Sequence, residues 1–215
     1  MYPDFITFTG ADDRTPYQAL LDLSEEHPVE FGILFSRSRT GTPRYPSQGW
    51  IDGLAGLDLS LAAHICGSWS GQIVSEGRSD IDDRMDTFDR IQVNTSERFD
   101  LDLICAWKAR LEQRHGREFR VILQTRHSFP EDARVEWLFD ASGGRGVLPA
   151  SWPRPPADED VRFGYAGGLG PDNVVQALQA IDCEDGFWID MESRVRNASD
   201  LFDLDMCRLV CERAF

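Results

Sequence analysis

Apolar residues recur along this chain in two alternating rhythms. Short runs of β-branched and aromatic side chains are followed by stretches in which apolar positions fall every three or four residues. Phe5 to Thr9 is the first run and ends at Gly10. Thr15-Pro16-Tyr17-Gln18 then has the form of a helix start, with Thr15 as cap, Pro16 in the first turn and Gln18 completing a capping box. Tyr17, Leu20 and Leu21 supply its apolar face. The unit repeats: Val29 to Phe35 predicts a second strand, a basic loop covers Ser36 to Pro46, and Ser47 opens a helix with Trp50, Ile51, Leu54 and Ala55 on one side.

Asp58 to Ile65 predicts a third strand, and the segment from Cys66 to Asp89 that follows it is irregular. Arg90 to Asn94 predicts a fourth, ahead of a helix from about Asp100 to His115 whose stripe is Leu101, Ile104, Cys105, Lys108 and Leu111. Phe119 to Gln124 and Val135 to Asp140 are strands five and six, and the proline-rich connection from Ala141 to Asp160 predicts a degenerate helix. Val161 to Tyr165 is strand seven. Its helix starts at Pro171 and carries Val174, Val175, Leu178 and Ile181. Phe187 to Met191 is strand eight, and Leu201 to Arg213 closes the chain with Leu201, Leu204, Leu209 and Val210 apolar. Eight strands alternating with helical or crossover segments predict an α/β protein, a single (β/α)8 TIM barrel over residues 1–215 with the helix after strand six degenerate. A flavodoxin-like open sheet would use fewer units.

Composition narrows the partners. At 41% hydrophobic residues the chain can build a substantial core, while a net charge of −15 repels nucleic acid and anionic membranes. No apolar run is long enough to span a bilayer, and the first residues carry no signal-like pattern, so a cytoplasmic protein is expected. The five cysteines are scattered and odd in number, which favours free thiols over disulfides. The acidic run Asp80 to Asp86 lacks the glycine and terminal glutamate of a calcium loop and is expected to be a solvated face. Neither a metal nor a cofactor is expected.

The candidate chemistry starts at Gly164-Tyr165-Ala166-Gly167-Gly168-Leu169-Gly170-Pro171-Asp172-Asn173-Val174, a strand-to-helix turn with uncovered amides. Such a cluster is either a plain tight turn or an anion site. Phosphate in a barrel of this type tends to bind at the loops after strands seven and eight, so the position of Gly167 and Gly168 points to a small phosphorylated ligand.

The segments Leu138 to Gly146, Ala166 to Val174 and Ile189 to Ser193 resemble, in order and spacing, the last three strand motifs of phosphoribosylanthranilate isomerase. Thr42-Pro43-Arg44-Tyr45 is similar to that family's Pro-Arg-Tyr loop, and Phe8-Thr9-Gly10 stands where its strand-one motif stands. The resemblance implies an Amadori-type isomerisation, in which a general acid protonates a sugar ring oxygen and a base removes the C2 proton. By the same resemblance Asp140 is the acid, Arg44 pairs with a carboxylate, and Gly167, Gly168, Asn173, Asp190 and Ser193 belong to the ligand site. Asp140 is alternatively a structural aspartate binding the amides of its own turn.

The family's strand-one cysteine base is replaced here by Thr9, whose hydroxyl is not ionised near neutral pH. Substitutes are Asp12 or Asp13, or His64 and Cys66 at the end of strand three. His64 is alternatively a core histidine, and the two aspartates braces of their loop. Arg194 replaces a glycine of the family's strand-eight turn, where it either binds phosphate or fills its pocket, next to the negative charge of Glu192. Arg145, between two glycines, is placed to close over a ligand. Three functions fit: an isomerase of this type, different chemistry on a sugar phosphate or nucleotide-like ligand through Asp12 or His64, or a phospho-ligand binder without a base. An apolar barrel exterior would also allow pairing with a second copy as a homodimer.

Overall fold

The computed structural model describes residues 2–184 and 186–215. Eight parallel strands hydrogen-bond in sequence order, and the last returns to the first to close a barrel. They are β1 (Phe5–Thr9), β2 (Val29–Ser36), β3 (Leu61–Cys66), β4 (Arg90–Val93), β5 (Arg120–Thr125), β6 (Glu136–Phe139), β7 (Phe163–Ala166) and β8 (Phe187–Met191). Outside lie helices α1 (Tyr17–Glu26), α2 (Gln48–Asp52), α3 (Ser68–Glu76), α4 (Leu101–His115), α5 (Val174–Ala180) and α6 (Leu204–Ala214). The predicted (β/α)8 barrel is therefore the fold.

Several local expectations change. Thr15 does not cap α1: Pro16 takes the cap position, Thr15 Oγ1 accepts from the Asp12 amide at 3.2 Å, and Gln18 donates to Asp22 at 2.8 Å. The irregular segment after β3 contains α3, which starts behind Gly67 and buries Trp69, Ile73 and Val74; interspersed Ser and Gly residues blur that face in the sequence. On α4 the stripe is centred on buried Trp107, while the Lys108 ammonium pairs with Glu112 at 2.8 Å. The closing helix begins at Leu204, because the chain from Arg196 to Phe202 folds back as an antiparallel bridge. Its buried side carries Cys207, Val210 and Cys211, both cysteines as free thiols, and Leu209 faces outward.

Two crossovers, β5 to β6 and β6 to β7, contain no helix among the described residues. Aromatic side chains cover the barrel there instead. Phe129 packs on Phe163 and Tyr165 with ring centroids 5.1 and 5.3 Å apart, and Trp152 packs edge-on against Tyr165 at 5.6 Å. The Tyr165 hydroxyl donates to the Pro153 carbonyl at 3.1 Å, which fixes the proline-rich chain to the wall. This substitution keeps the predicted degenerate crossover short without leaving apolar strand surface in water.

Side chains alternate across each strand, so one set faces the helices and the other fills the barrel. The outward set forms the large apolar core. A small inner cluster of Ile122, Leu138, Ala166 and Trp188 is separate from it. Below this cluster Arg90 from β4 is buried between Glu30 of β2 and Glu136 of β6, at 2.7 and 2.6 Å, with its guanidinium 4.2 Å from the centre of the Trp188 ring. Thr7 Oγ1 donates to Glu30 at 2.8 Å. Burial pushes the Glu30 carboxyl up, and Arg90 opposes that. Removing one partner from such a group leaves charge stranded in a poorly solvated interior. Arg90→Ala is expected to cost about 3–5 kcal/mol in urea unfolding, with part recovered when Glu30→Gln and Glu136→Gln are added. A loss below about 1 kcal/mol would show that the triad does not hold the barrel floor.

Candidate active site

Above the inner apolar cluster the inward set changes character. Thr9, His64, Cys66, Gln92, Asn94, Gln124, Asp140, Asp190 and Glu192 line a cavity of about 300 Å³ at the C-terminal ends of the strands. Each lies two residues from the previous inward position on its strand, or one step past its end. That spacing, visible in the sequence, is the signal by which Gln92, Asn94, Gln124, Glu192 and Arg126 could have been found. The C-terminal face is where (β/α)8 enzymes place their chemistry.

Thr9, His64 and Asp190 come together although they lie on β1, β3 and β8. The Thr9 hydroxyl donates to Asp190 Oδ1 at 3.2 Å, and His64 Nε2 is 4.0 Å from Asp190 Oδ2. Gly32 on β2 makes the meeting possible. A Cβ at Gly32 would stand 2.8 Å from His64 Nε2 and closer still to Thr9 Oγ1, so the imidazole occupies the place of a missing side chain. His64 is only 2% exposed, and its Nε2 has no hydrogen-bond partner among the described residues. Burial, assisted by Arg90, pushes the His64 pKa down to about 3. Burial also raises the Asp190 pKa to about 8, the Thr9 hydrogen bond opposing and the charges of Glu192, Glu30 and Asp140 adding to the rise. At neutral pH the pair is a protonated carboxyl beside a neutral imidazole, one donor and one acceptor. Cys66 is a weaker candidate base: burial pushes its thiol up to about 11, although Asn94 Nδ2 donates to the sulfur at 3.2 Å.

Asp140 also lines the cavity, but its oxygens are in use. Oδ1 accepts from the Ser142 amide at 3.0 Å and the Ser142 hydroxyl at 2.7 Å, and Oδ2 from the Gly144 amide at 2.5 Å. The aspartate thus organises its own glycine turn, as the structural alternative anticipated, while facing the ligand space. Arg145 is exposed and is bound back to this turn, its Nε donating to the Ser142 carbonyl at 2.9 Å. The loop then arches over the next turn. A Cβ on Gly168, whose φ is +64°, would stand 2.6 Å from the Gly146 carbonyl oxygen, and one on Gly167 would stand 3.5 Å from Asp140 Oδ1.

The amides of Gly168, Leu169, Ser193 and Arg194 have no acceptor among the described residues. These are turn amides and not helix amides. The expected helix start at Pro171 is displaced to Val174, with Pro171 to Asn173 in a turn, so the helix dipole lies farther from the glycines than the sequence implied. Asn173 is spent on that turn: its Oδ1 accepts from the Gly170 amide and its Nδ2 donates to the Gly168 carbonyl, both at 2.9 Å. The Arg194 stem packs over Gly170, 2.5 Å from where a Cβ would be, and its side chain is exposed.

Asp12 and Arg44 lie on the rim and do not line the cavity. Burial alone would raise the Asp12 carboxyl, but hydrogen bonds from Arg14 and the Arg44 amide outweigh it and hold it below its ordinary value. It braces the loops, the role set against catalysis in the sequence. Arg44, at φ +72°, pairs with Glu192 at 2.6 Å and Asp200 at 2.7 Å. Arg44 and Arg196 together hold the Asp200 carboxyl down to about 2. Buried Arg196 completes the rim by donating to the Gly10 carbonyl at 2.8 Å and pairing with Asp200 at 2.7 Å. Among the described residues no cluster of three His, Cys, Asp or Glu side chains could hold a metal, and no helix is long and apolar enough to cross a membrane.

No protein-family model matches this sequence, and no curated protein matches it. Solved structures do. The chain is similar to TrpF from Jonesia denitrificans, at 18% identity, covering 98% of this chain and 96% of that one with a TM-score of 0.66. It is similar to N-(5'-phosphoribosyl)anthranilate isomerase from Pyrococcus furiosus, at 13% identity with 98% of each chain covered and a TM-score of 0.59. A phosphoribosylanthranilate isomerase in complex with reduced 1-(o-carboxyphenylamino)-1-deoxyribulose 5-phosphate matches at 16% identity, 97% of each chain and a TM-score of 0.61. The 3-hexulose-6-phosphate synthase of Salmonella typhimurium matches at 15% identity, all of this chain and 98% of that one, with a TM-score of 0.55. At these identities what is shared is the barrel fold.

The protonated Asp190 predicts a pH effect on stability. Its folded pKa of about 8 lies above the unfolded value of 3.8, so the stability it contributes is lost as pH rises toward 8. His64, lowered to about 3 from 6.5, is still half protonated in the unfolded chain at pH 6.5, so it adds an opposing slope that is common to both proteins and fades by about pH 7.5. Between pH 6.5 and 8, urea titrations should show stability falling by up to about 1.4 kcal/mol per pH unit, a slope that Asp190→Asn removes. Equal slopes in the two proteins would refute the protonated state.

Proposed function

We propose that the cavity binds a phosphorylated sugar and catalyses an aldose–ketose isomerisation of the Amadori type, with His64 and Asp190 doing the work that Thr9 cannot. The observation that carries this reading is the buried, partnerless Nε2 of His64 facing a cavity beside a protonated carboxyl. Support for the phosphate comes from the unpaired turn amides of Gly168, Leu169, Ser193 and Arg194, which can donate to its oxygens. The fold shared with phosphoribosylanthranilate isomerase structures agrees with it.

In this mechanism an acid protonates the ring oxygen, the ring C–O bond breaks, and the nitrogen lone pair forms an iminium. A base then takes the C2 proton to give an enolamine, which tautomerises to the keto amine. Asp190, which keeps its proton at neutral pH, is assigned as the acid in place of Asp140, whose oxygens are taken up by its own turn, and His64 as the base. Once Asp190 has given its proton to the ring oxygen, its carboxylate stabilises the imidazolium that forms when His64 takes the C2 proton; the imidazolium then protonates C1 of the enolamine while the enol hydroxyl proton restores Asp190. A second reading follows from Thr9, which removes the family's base: the protein binds such a ligand without converting it.

The test is turnover of phosphoribosylanthranilate by purified protein, together with rescue of a tryptophan auxotroph. Turnover is expected, and His64→Ala and Asp190→Asn should each lower kcat by at least about 100-fold while leaving calorimetric binding of the reduced deoxyribulose 5-phosphate compound within about threefold. Binding without turnover would select the second reading. Neither binding nor turnover would remove both.

A further inference from the structure

We propose that Thr9 is a positioning residue for the acid: its hydroxyl, by donating to Asp190 Oδ1, keeps the carboxyl's proton on Oδ2, on the side of His64. This rests on the isomerase reading for its catalytic meaning and adds to it a role for the residue that stands in the place of the family's base.

The arrangement is set by strands far apart in sequence. Thr9 and Gly32 are paired across β1 and β2, and the Thr9 hydroxyl fills the space where a Cβ on Gly32 would lie. Thr9 is 2% exposed, and among the described residues its hydroxyl has one hydrogen-bond partner, Asp190 Oδ1 at 3.2 Å. The other carboxyl oxygen, Oδ2, stands 4.0 Å from His64 Nε2. That is beyond hydrogen-bond reach, and Nε2 has no other partner among the described residues, so neither group is spent on the other. An oxygen that accepts the Thr9 hydrogen cannot turn a hydrogen of its own into the same contact, so the acid form carries its proton on Oδ2. There it lies beside the base. All three side chains line the cavity, and a ligand atom can enter between the donor and the acceptor.

The titratable groups that face Asp190 come from several elements: Glu30 on β2, His64 on β3, Asp140 just past β6 and Glu192 just past β8. On β7 its neighbour in register is Ala166, which carries no charge. The three carboxylates favour retention of the proton, whereas the Thr9 hydrogen bond is the contact that distinguishes Oδ1 from Oδ2.

Carbon-13 NMR of the Asp190 carboxyl carbon in the ligand-free protein, identified by its loss in Asp190→Asn, tests this without substrate. A hydroxyl that donates to a carboxyl favours the ionised form, so Thr9→Val is expected to move the Asp190 titration upward by about one pH unit, and Thr9→Ser to leave it within about 0.3 of native. Thr9→Cys, whose thiol is a weak donor, should move it upward part of the way, and it carries the test if Thr9→Val does not fold. In turnover, the fall of kcat/KM as Asp190 loses its proton should move to higher pH in Thr9→Val, with kcat lowered by about tenfold and KM within about twofold. An unmoved titration overturns the proposal. A downward one also overturns it, because the carboxyl would then donate to Thr9 and carry its proton on Oδ1. If the native protein turns nothing over, the isomerase reading falls, and the direction of the titration alone decides where the proton lies.

Discussion

The alternation of side chains across a closed parallel sheet is the constraint on which the rest of this structure depends. Closure leaves no edge, so every second residue of every strand must enter a space too narrow for water to solvate freely. This chain fills that space in tiers. Arg90 pairs with Glu30 and Glu136 at the floor, a thin apolar layer follows, and the polar groups that line the cavity stand above it. The same confinement that makes Arg90 indispensable to its two partners raises Asp190 and lowers His64. The buried triad and the two shifted pKa values have one cause, desolvation, applied at two heights.

Electrostatics at the cavity mouth supports the proposed anion site in a strongly acidic chain. At the mouth each carboxylate is neutralised locally: one by its own turn, one by a rim arginine, one by a retained proton. With those charges cancelled at short range, four unpaired amides and Arg126 dominate the space a ligand would enter. Long-range charge repels polyanions, whereas recognition of a small anion is decided within hydrogen-bond distance.

The barrel was legible because its strands are marked by β-branched and aromatic runs and its order by the alternation of strand and helix. Boundaries slipped where local chemistry was ambiguous, as at α1, where Pro16 rather than Thr15 stands at the cap, and at α6, where Leu201 and Phe202 belong to a fold-back and not to the helix. At the site, Asp140, Gly168 and His64 could be named from the chain, but their states could not. That Asp12 braces a rim, that Asn173 is consumed by its turn and that Gly32 opens a seat for an imidazole depend on contacts between strands distant in sequence. Arg126 and Glu192 were within reach, had the two-residue stripe been carried one step past each strand's end.

The aromatic cladding that replaces two helices has a mechanical consequence. Phe129 belongs to the connection that begins with Arg126, Trp152 to the connection that covers Gly168, and both rings rest on Tyr165. In a conventional barrel each of these loops would be tied to its own helix and could shift alone. Here they share one bearing surface, the Tyr165 ring, so the packing of one connection is not independent of the other.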